Sequence, residues 1–192
     1  MKYLITGLIL FLLIGATPLV HADTKVYFSP NGGCQAAVIR EISKAQKTID
    51  VVMYNLTNRE ISQELIKAKG RGVWVRVFLD PGEGNGRYSK GRYLMGKGID
   101  VRFYTGNGLM HNKFAVIDNR ILITGSFNWT AAAERENQEN LLIITDENAV
   151  KQYAQRFDML WAGPQDKPVR NDLLNVRVSG DITVGAINRK GF

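Results

Sequence analysis

The chain has 192 residues, a length that suits one globular domain with a sizeable buried core. Its composition, 45% hydrophobic and 22% charged, is ordinary for an α/β protein, and no internal repeat or low-complexity tract interrupts it. The formal net charge of +7 favours anionic partners, either nucleic acid or an anionic membrane surface, without choosing between them.

The first 22 residues have the pattern of a secretory signal peptide. Lys2 precedes an apolar run over 4–14, and Val20-His21-Ala22 follows it as a cleavage region. The run is short for spanning a bilayer, which favours cleavage after Ala22 over a retained membrane anchor. We therefore expect a periplasmic or secreted bacterial protein with no stable membrane anchor after cleavage.

Residues 23–163 alternate between short β-rich runs and helical stretches, as expected for one domain. Strands are predicted over 25–28, 49–53, 73–79, 100–104, 112–117, 121–124 and 140–145. Helices are predicted over 33–45, 58–69 and about 148–161. The pattern predicts an α/β fold with a mixed central β-sheet flanked by helices.

Two further features concern the ends of this domain. Residues 164–192 form a C-terminal extension, for which a β-hairpin and a disordered basic tail remain alternative interpretations. Cys34 is the only cysteine, so an internal disulfide is excluded, and we expect it to be a small buried residue. The sequence also contains no Cys/His cluster of the kind that binds zinc.

A glycine-rich segment separates the strand over 73–79 from His111. Basic and tyrosine side chains are interleaved with its glycines, and the candidates for binding nucleic acid are Arg87, Tyr88, Lys90 and Arg92. Basic side chains can follow a phosphate backbone, and tyrosines can stack on unpaired bases. The alternative is a solvated loop with one short helix and an edge strand.

The stretch from His111 to Asn128 carries the residues with catalytic potential. Residues two apart on a strand point to the same face, so His111 and Lys113 are predicted to share one. A fixed positive charge beside an imidazole suits an anionic group such as phosphate. Asp118 falls on the other face and begins a tight turn with Asn119, which indicates a structural role.

The turn that follows the next strand supplies further candidates. Gly125 permits a close turn, and Ser126 or Asn128 could cap a following helix whose start would attract an anion. Glu139 precedes the last strand, where a buried carboxylate could accept a hydrogen bond from one imidazole nitrogen and leave the other free to attack. Taken singly, each of these elements is more often an ordinary turn or surface residue.

Their joint spacing resembles the phospholipase D superfamily, whose motif is H-x-K-x4-D, six residues, then G-S-x-N. Every fixed position is present in this chain: His111, Lys113, Asp118, Gly125, Ser126 and Asn128. The likeness extends over about residues 24–162, including the segments 28–31 and 49–54. It is similar in particular to the small secreted bacterial nucleases of the superfamily, the Nuc type, with one motif per chain.

The resemblance implies a phosphodiesterase that needs no metal and no cofactor. One histidine attacks phosphorus and forms a phosphohistidine, a second protonates the leaving oxygen, and water releases the product. Carried over, Lys113 and Asn128 would hold the phosphoryl oxygens, Glu139 would orient His111, and Ser126 would assist. This chemistry needs two histidines, yet the chain contains only His21, in the predicted signal peptide, and His111. We therefore predict a homodimer with one composite site on a twofold axis.

Three functions remain open at this level. The first is a non-specific endonuclease acting on DNA, with RNA as a further substrate, which the basic charge and the segment before His111 favour. The second is a phospholipase D that hydrolyses phospholipid headgroups, for which Leu109 and Met110 would supply an apolar surface. The third is a non-catalytic module that binds nucleic acid or membranes, against which the intact motif argues.

Overall fold

The structure is a computed structural model that describes residues 23–84 and 86–163. The predicted signal peptide and the C-terminal extension over 164–192 lie outside the described residues, as does Asn85. None of the helices in the described part of the chain is both long enough and apolar enough to cross a membrane.

In residues 23–84 and 86–163, seven strands form one sheet in the order β1-β7-β6-β5-β2-β3-β4. The strands are β1 (Thr24–Ser29), β2 (Thr48–Met53), β3 (Trp74–Leu79), β4 (Asp100–Phe103), β5 (Lys113–Ile117), β6 (Ile121–Gly125) and β7 (Glu139–Ile144). The β2–β3 and β3–β4 pairs are parallel, whereas the other neighbouring strands run antiparallel. The predicted mixed sheet is confirmed, and β4 is an edge strand.

Helices cover both faces of this sheet. Those in the described residues are α1 (Cys34–Lys44), α2 (Arg59–Gly70), α3 (Pro81–Gly84), α4 (Gly91–Gly96), α5 (Ala131–Arg135) and α6 (Glu147–Ala162). Val38 of α1 and Leu65 of α2 belong to one buried cluster, and Val150 and Phe157 of α6 belong to a second on the opposite face. Cys34 is fully buried, as expected; its thiol is free, and burial raises its pKa to about 11.

The residues of β5 show why this strand lies in the middle of the sheet. Ala115 and Ile117 pack into the α1–α2 cluster, whereas Phe114 and Val116 pack into the α6 cluster. Successive strand residues point to opposite faces, so a strand covered on both sides has to be apolar throughout. The central position fixes the register of β5 and therefore the position of the residues just before it.

Two boundaries differ from the prediction in ways that concern the site. The strand predicted from 112 begins at Lys113, so His111 lies in the approach to β5 rather than on it. The glycine-rich segment contains two short helices, α3 and α4, where one was considered. Glycine lowers helix propensity by about 1 kcal/mol per residue, which is why such short helices leave a weak signal in the sequence.

Candidate active site

His111 and Lys113 lie where β2 ends and β5 begins. Lys113 pairs with Met53, the last residue of β2, and the N–H of Tyr54 donates to the carbonyl of Asn112 at 3.0 Å. The ring of Tyr54 contacts both candidate side chains. Its centroid is 4.5 Å from that of the exposed His111 imidazole and 5.1 Å from Lys113 Nζ. The two residues predicted to share a face are thus brought together against one aromatic ring.

Lys113 is held in place and partly desolvated. Its Nζ donates to the backbone carbonyl of His111 at 2.8 Å, which ties the ammonium group to the residue that carries the imidazole. Burial lowers the pKa of Lys113, while the negative charge of Glu139 acts in the opposite direction. A positive charge fixed beside an imidazole in a partly dry environment is suited to holding a phosphoryl oxygen.

Gly125, the last residue of β6, allows the start of the connection from β6 to α5 to lie close against β7. Its φ of 145° lies in a region that L side chains rarely adopt, and a Cβ there would lie 2.3 Å from the carbonyl oxygen of Asn140. The next residue, Ser126, donates its N–H to Asn140 Oδ1 at 3.0 Å and accepts the Asn140 N–H at 3.1 Å through its hydroxyl. The predicted close turn is present and fixes Ser126 against β7.

Glu139 differs from its predicted setting. It is half-buried rather than buried, because it is the first residue of β7 and lies at the rim of the sheet. Its carboxylate accepts from the Ser126 hydroxyl and from Asn137 Nδ2 at 3.2 Å. Within the described chain no hydrogen bond joins Glu139 to His111. The carboxylate therefore positions Ser126 in this structure, and the predicted contact with the imidazole is absent.

The predicted helix cap is also corrected. Thr130, not Ser126 or Asn128, caps α5, since its hydroxyl accepts the N–H of Ala133 at 3.0 Å. Asn128 is left free for another role: its buried Oδ1 has no hydrogen-bond partner in the described part of the molecule. An unpaired polar group near a candidate site is expected where a ligand or water completes the hydrogen bonding.

Asp118 lies at the far end of β5, in the tight turn that the sequence predicted. Asp118 and Asn119 have φ values of 53° and 51°, as a type I′ turn requires. The Asp118 carboxylate accepts the backbone N–H groups of Gln46 at 2.9 Å, Lys47 at 2.7 Å and Thr48 at 2.9 Å. Burial acts to raise the pKa of Asp118, but these three donors outweigh it and the pKa is lowered.

Several residues around His111 carried no assigned role in the sequence. Tyr54 directly follows a strand, and so does Asp80, which is buried and accepts the backbone N–H of Met110 at 2.9 Å. Asn55 donates to Glu83 Oε2 at 2.5 Å, which links the β2 terminus to α3. Their common signal is a polar or aromatic residue just past a buried strand, at the sheet end where sites are usually built.

The basic and tyrosine-rich segment is anchored beside this end of the sheet. The N–H of Lys90 donates to the carbonyl of Leu56, two residues after Tyr54, at 2.9 Å. Arg87 and Tyr88 are exposed, with the guanidinium 5.7 Å from the tyrosine ring centroid, and Arg92 is exposed on α4. These side chains are free to contact a ligand that extends from the candidate site.

The acidic residues near the site have protein partners. Glu134 accepts the N–H groups of Gly33 at 3.2 Å and Gln35 at 2.8 Å at the start of α1. Among residues 23–84 and 86–163, no group of three or more His, Cys, Asp or Glu side chains is arranged to hold a metal ion.

Residues 38–161 match a family model described as "Cardiolipin synthase, PLD-like domain". The match covers more than half of the chain, and the chain belongs to this family within the phospholipase D superfamily. It is 38% identical over 139 residues to a protein named phospholipase D from Rickettsia conorii, covering 72% of this chain and 70% of that one. It is also 36% identical over 144 residues to a mitochondrial cardiolipin hydrolase from Xenopus tropicalis, covering 75% of this chain and 64% of that one.

Solved structures place the chain more narrowly within the superfamily. The phospholipase D family member Nuc from Salmonella typhimurium superposes with a TM-score of 0.71 at 30% identity, covering 77% of this chain and 99% of that one. NucT from Helicobacter pylori has the same fold, with a TM-score of 0.70 at 23% identity, covering 74% and 98% respectively. The chain is a phospholipase D-like phosphodiesterase of the single-motif Nuc type.

Proposed function

We propose that this phosphodiesterase is a secreted, non-specific endonuclease that cleaves DNA, and RNA as a further substrate, at a site shared by two subunits. The observation that carries the proposal is the pairing of His111 and Lys113 against Tyr54, at the end of the sheet that also anchors the basic, tyrosine-rich segment. The pair suits phosphodiester chemistry, and the neighbouring segment suits a polyanion with aromatic bases.

The proposed reaction has two displacements at phosphorus. In the first, an unprotonated ring nitrogen of His111 forms a bond to phosphorus, and the bond to the leaving sugar oxygen breaks as that oxygen takes a proton from a second, protonated histidine. In the second, the histidine that is now neutral takes a proton from water, whose oxygen attacks phosphorus and releases His111. Lys113 and the Asn128 amide hold the non-bridging oxygens throughout.

The second histidine is assigned to another copy of the chain. His111 is the one histidine between residues 23 and 192, so His111 of the partner subunit is the available acid. Two exposed apolar side chains lie at the same end of the molecule and support an interface there. Phe28, which pairs with Asn140 beside Glu139, is 64% exposed, and Leu109, two residues before His111, is 68% exposed.

A charge placed in this apolar surface tests the dimer. We expect Phe28→Asp to lower the sedimentation coefficient to that of a monomer and to remove activity with the fold intact, because the site loses its second histidine. The exposed Val26 in the same strand offers a matched variant, Val26→Thr, which keeps the side-chain shape without adding a charge. A Phe28→Asp monomer with full activity would contradict a shared site.

The choice of nucleic acid rests on Arg87, Tyr88, Lys90 and Arg92. Each basic contact to phosphate releases counterions, so binding should weaken steeply as salt concentration rises. Tyr88 is 72% exposed and is available to stack on a base. We expect Arg87→Ala combined with Arg92→Ala to raise KM for DNA and to reduce its salt dependence while kcat changes little.

Phospholipid hydrolysis is the second candidate, and two observations favour it. A relative from Rickettsia conorii is named phospholipase D, and the exposed Leu109 could touch an apolar surface. Of the two residues predicted to form an apolar surface, only Leu109 is exposed. Met110 is buried beneath the site, with 2% of its surface exposed. The charged segment next to the site gives nucleic acid the stronger support.

The two functions separate in one experiment. Purified protein is incubated with plasmid DNA and, in parallel, with phosphatidylcholine vesicles, each with and without a chelator, and the His111→Asn variant serves as the control. We expect DNA cleavage that the chelator does not inhibit and that the variant lacks. Lipid turnover without DNA cleavage would assign the site to phospholipid, and inhibition by chelator would require a metal-dependent reaction.

Secretion is part of the proposal and has its own test. Expression of the full chain in a bacterial host, followed by fractionation and mass measurement, should give a periplasmic or secreted species that begins at Asp23. A full-length species retained in the cytoplasm would contradict the signal peptide.

A further inference from the structure

Asp80 connects three backbone donors at the end of β3. Its carboxylate accepts the N–H of Gly82 at 2.9 Å and of Glu83 at 3.4 Å through Oδ1, and that of Met110 at 2.9 Å through Oδ2. The residue is 2% exposed, so water does not replace these bonds. One oxygen therefore fixes the start of α3, and the other reaches the segment that leads into β5.

That second oxygen is significant because β3 and β5 are not neighbours. β2 lies between them in the sheet, and Met110 returns over the end of β2 from the long connection after β4. The bond from Asp80 to Met110 is thus a long-range contact, between residues 30 positions apart, that crosses the end of β2. It fixes the residue immediately before His111.

The backbone on the other side of His111 is fixed as well. The carbonyl of Asn112 accepts the N–H of Tyr54 at 3.0 Å, so anchors to Asp80 and Tyr54 flank His111. The imidazole itself is exposed, and among the described residues the Tyr54 ring is its one aromatic contact. Since its side chain is lightly held, the position of its ring depends on the two backbone anchors.

We propose that Asp80 is a positioning residue for His111, holding the backbone before it so that the imidazole meets phosphorus in line. The inference rests on the proposed function of His111 as nucleophile. Misplacement of a reacting group by about 1 Å can reduce a rate by about 100-fold. Loss of this anchor should therefore lower kcat by about 10- to 100-fold and leave KM nearly unchanged, because the residues proposed to bind DNA are not touched.

The Asp80→Asn variant breaks the bridge between the start of α3 and Met110 with little change in shape. All three partners of Asp80 are donors, so an amide can satisfy one side and must present its own N–H₂ to the other. Asp50→Asn is the matched control, since Asp50 is a 5% exposed carboxylate whose partner is Arg76, on β3. Both variants lose stability, but only the first is expected to lose kcat at temperatures well below unfolding.

Three measurements separate positioning from a structural role. We expect a lower kcat with an unchanged KM in Asp80→Asn, a shifted His111 ring signal in its NMR spectrum, and wild-type kcat in Asp50→Asn. Equal kcat in the two variants would overturn the proposal, and so would an unchanged ring signal. If Asp80→Asn does not fold, hydrogen exchange on the wild-type protein decides: the Met110 amide must exchange slowly, and rapid exchange would overturn the proposal.

The same series distinguishes this inference from the function on which it rests. His111→Asn tests the nucleophile independently of Asp80. If that variant is inactive and Asp80→Asn is fully active, the proposed function stands and the positioning role fails. If His111→Asn retains turnover, the proposed function fails, whatever the effect at Asp80.

Discussion

Asp118→Asn should destabilise the protein and leave its chemistry nearly intact, although Asp118 is a fixed member of the family motif. Three backbone N–H groups converge on its carboxylate, two on Oδ1 and one on Oδ2. The carbonyl oxygen of asparagine can accept two of these bonds, from Lys47 and Thr48. Its N–H₂ group then faces the backbone N–H of Gln46, which is also a donor. The loss of one charge-assisted bond and the resulting opposed donors should cost about 1–3 kcal/mol in unfolding free energy.

Distance explains why activity should survive. Asp118 follows the last residue of β5, whereas Lys113 begins that strand, so the two lie about 16 Å apart at about 3.3 Å per residue. Thermal unfolding should show a Tm lower by about 2–4 °C for each kcal/mol lost, and kcat measured well below Tm should change less than twofold. Asp23→Asn, at an exposed carboxylate, is the control and should change neither. A loss of kcat comparable to that of Lys113→Ala would refute the structural role.

The loss of stability in Asp118→Asn should also depend on pH. Because the folded state lowers the pKa of Asp118, its carboxylate stabilises the fold at pH values above the ordinary value of 3.8, and this contribution is lost as pH falls through the lowered folded pKa. The difference in unfolding free energy between wild type and Asp118→Asn should be constant near neutrality and shrink below about pH 4. A difference that grew as pH fell would contradict the sign of this linkage.

Three other variants test the site. Lys113→Ala should lower kcat by about 10²- to 10³-fold because a preorganised positive charge is lost. The rates are measured in single turnovers, with Lys151→Ala on the exposed surface of α6 as the control. Equal rates in the two variants would contradict the proposed role of Lys113 in holding the phosphoryl oxygens. Gly125→Ala should lower both Tm and kcat, because its Cβ would lie 2.3 Å from the Asn140 carbonyl oxygen and Ser126 would be displaced; an unchanged Tm would show that the turn has more room. In an equal co-refolded mixture of wild type and His111→Asn, activity should fall to roughly a quarter, whereas independent monomeric sites would leave half.

The sequence was most informative where local pattern and burial agree. The strands over 49–53 and 73–79 are mostly apolar, each with one charged residue, Asp50 or Arg76, as expected for strands largely covered on both faces, and the structure places them inside the sheet. The turn at Asp118 was predicted from its position between two apolar runs. The motif spacing then identified the family, which the match over residues 38–161 confirms.

The errors arose where a side chain's partner is set by long-range packing. Glu139 was expected to be buried against His111. Its hydrogen-bond partner depends on how closely the connection after β6 approaches β7, and the conformation of Gly125 places Ser126 beside Glu139. The cap of α5 falls at Thr130 because the turn uses Ser126 for a contact with β7. Asp80 could not be linked to Met110 from the sequence, since 30 residues and two helices separate them.

The proposed covalent bond between His111 and phosphorus can be observed directly. A short DNA substrate is mixed with excess enzyme, the reaction is quenched within a single turnover in alkaline denaturant, where phosphohistidine survives, and the digested protein is examined by mass spectrometry. We expect a nucleotide adduct on the peptide that contains His111, and no adduct in His111→Asn. Cleaved DNA without any adduct on His111, at times when turnover is incomplete, would contradict it.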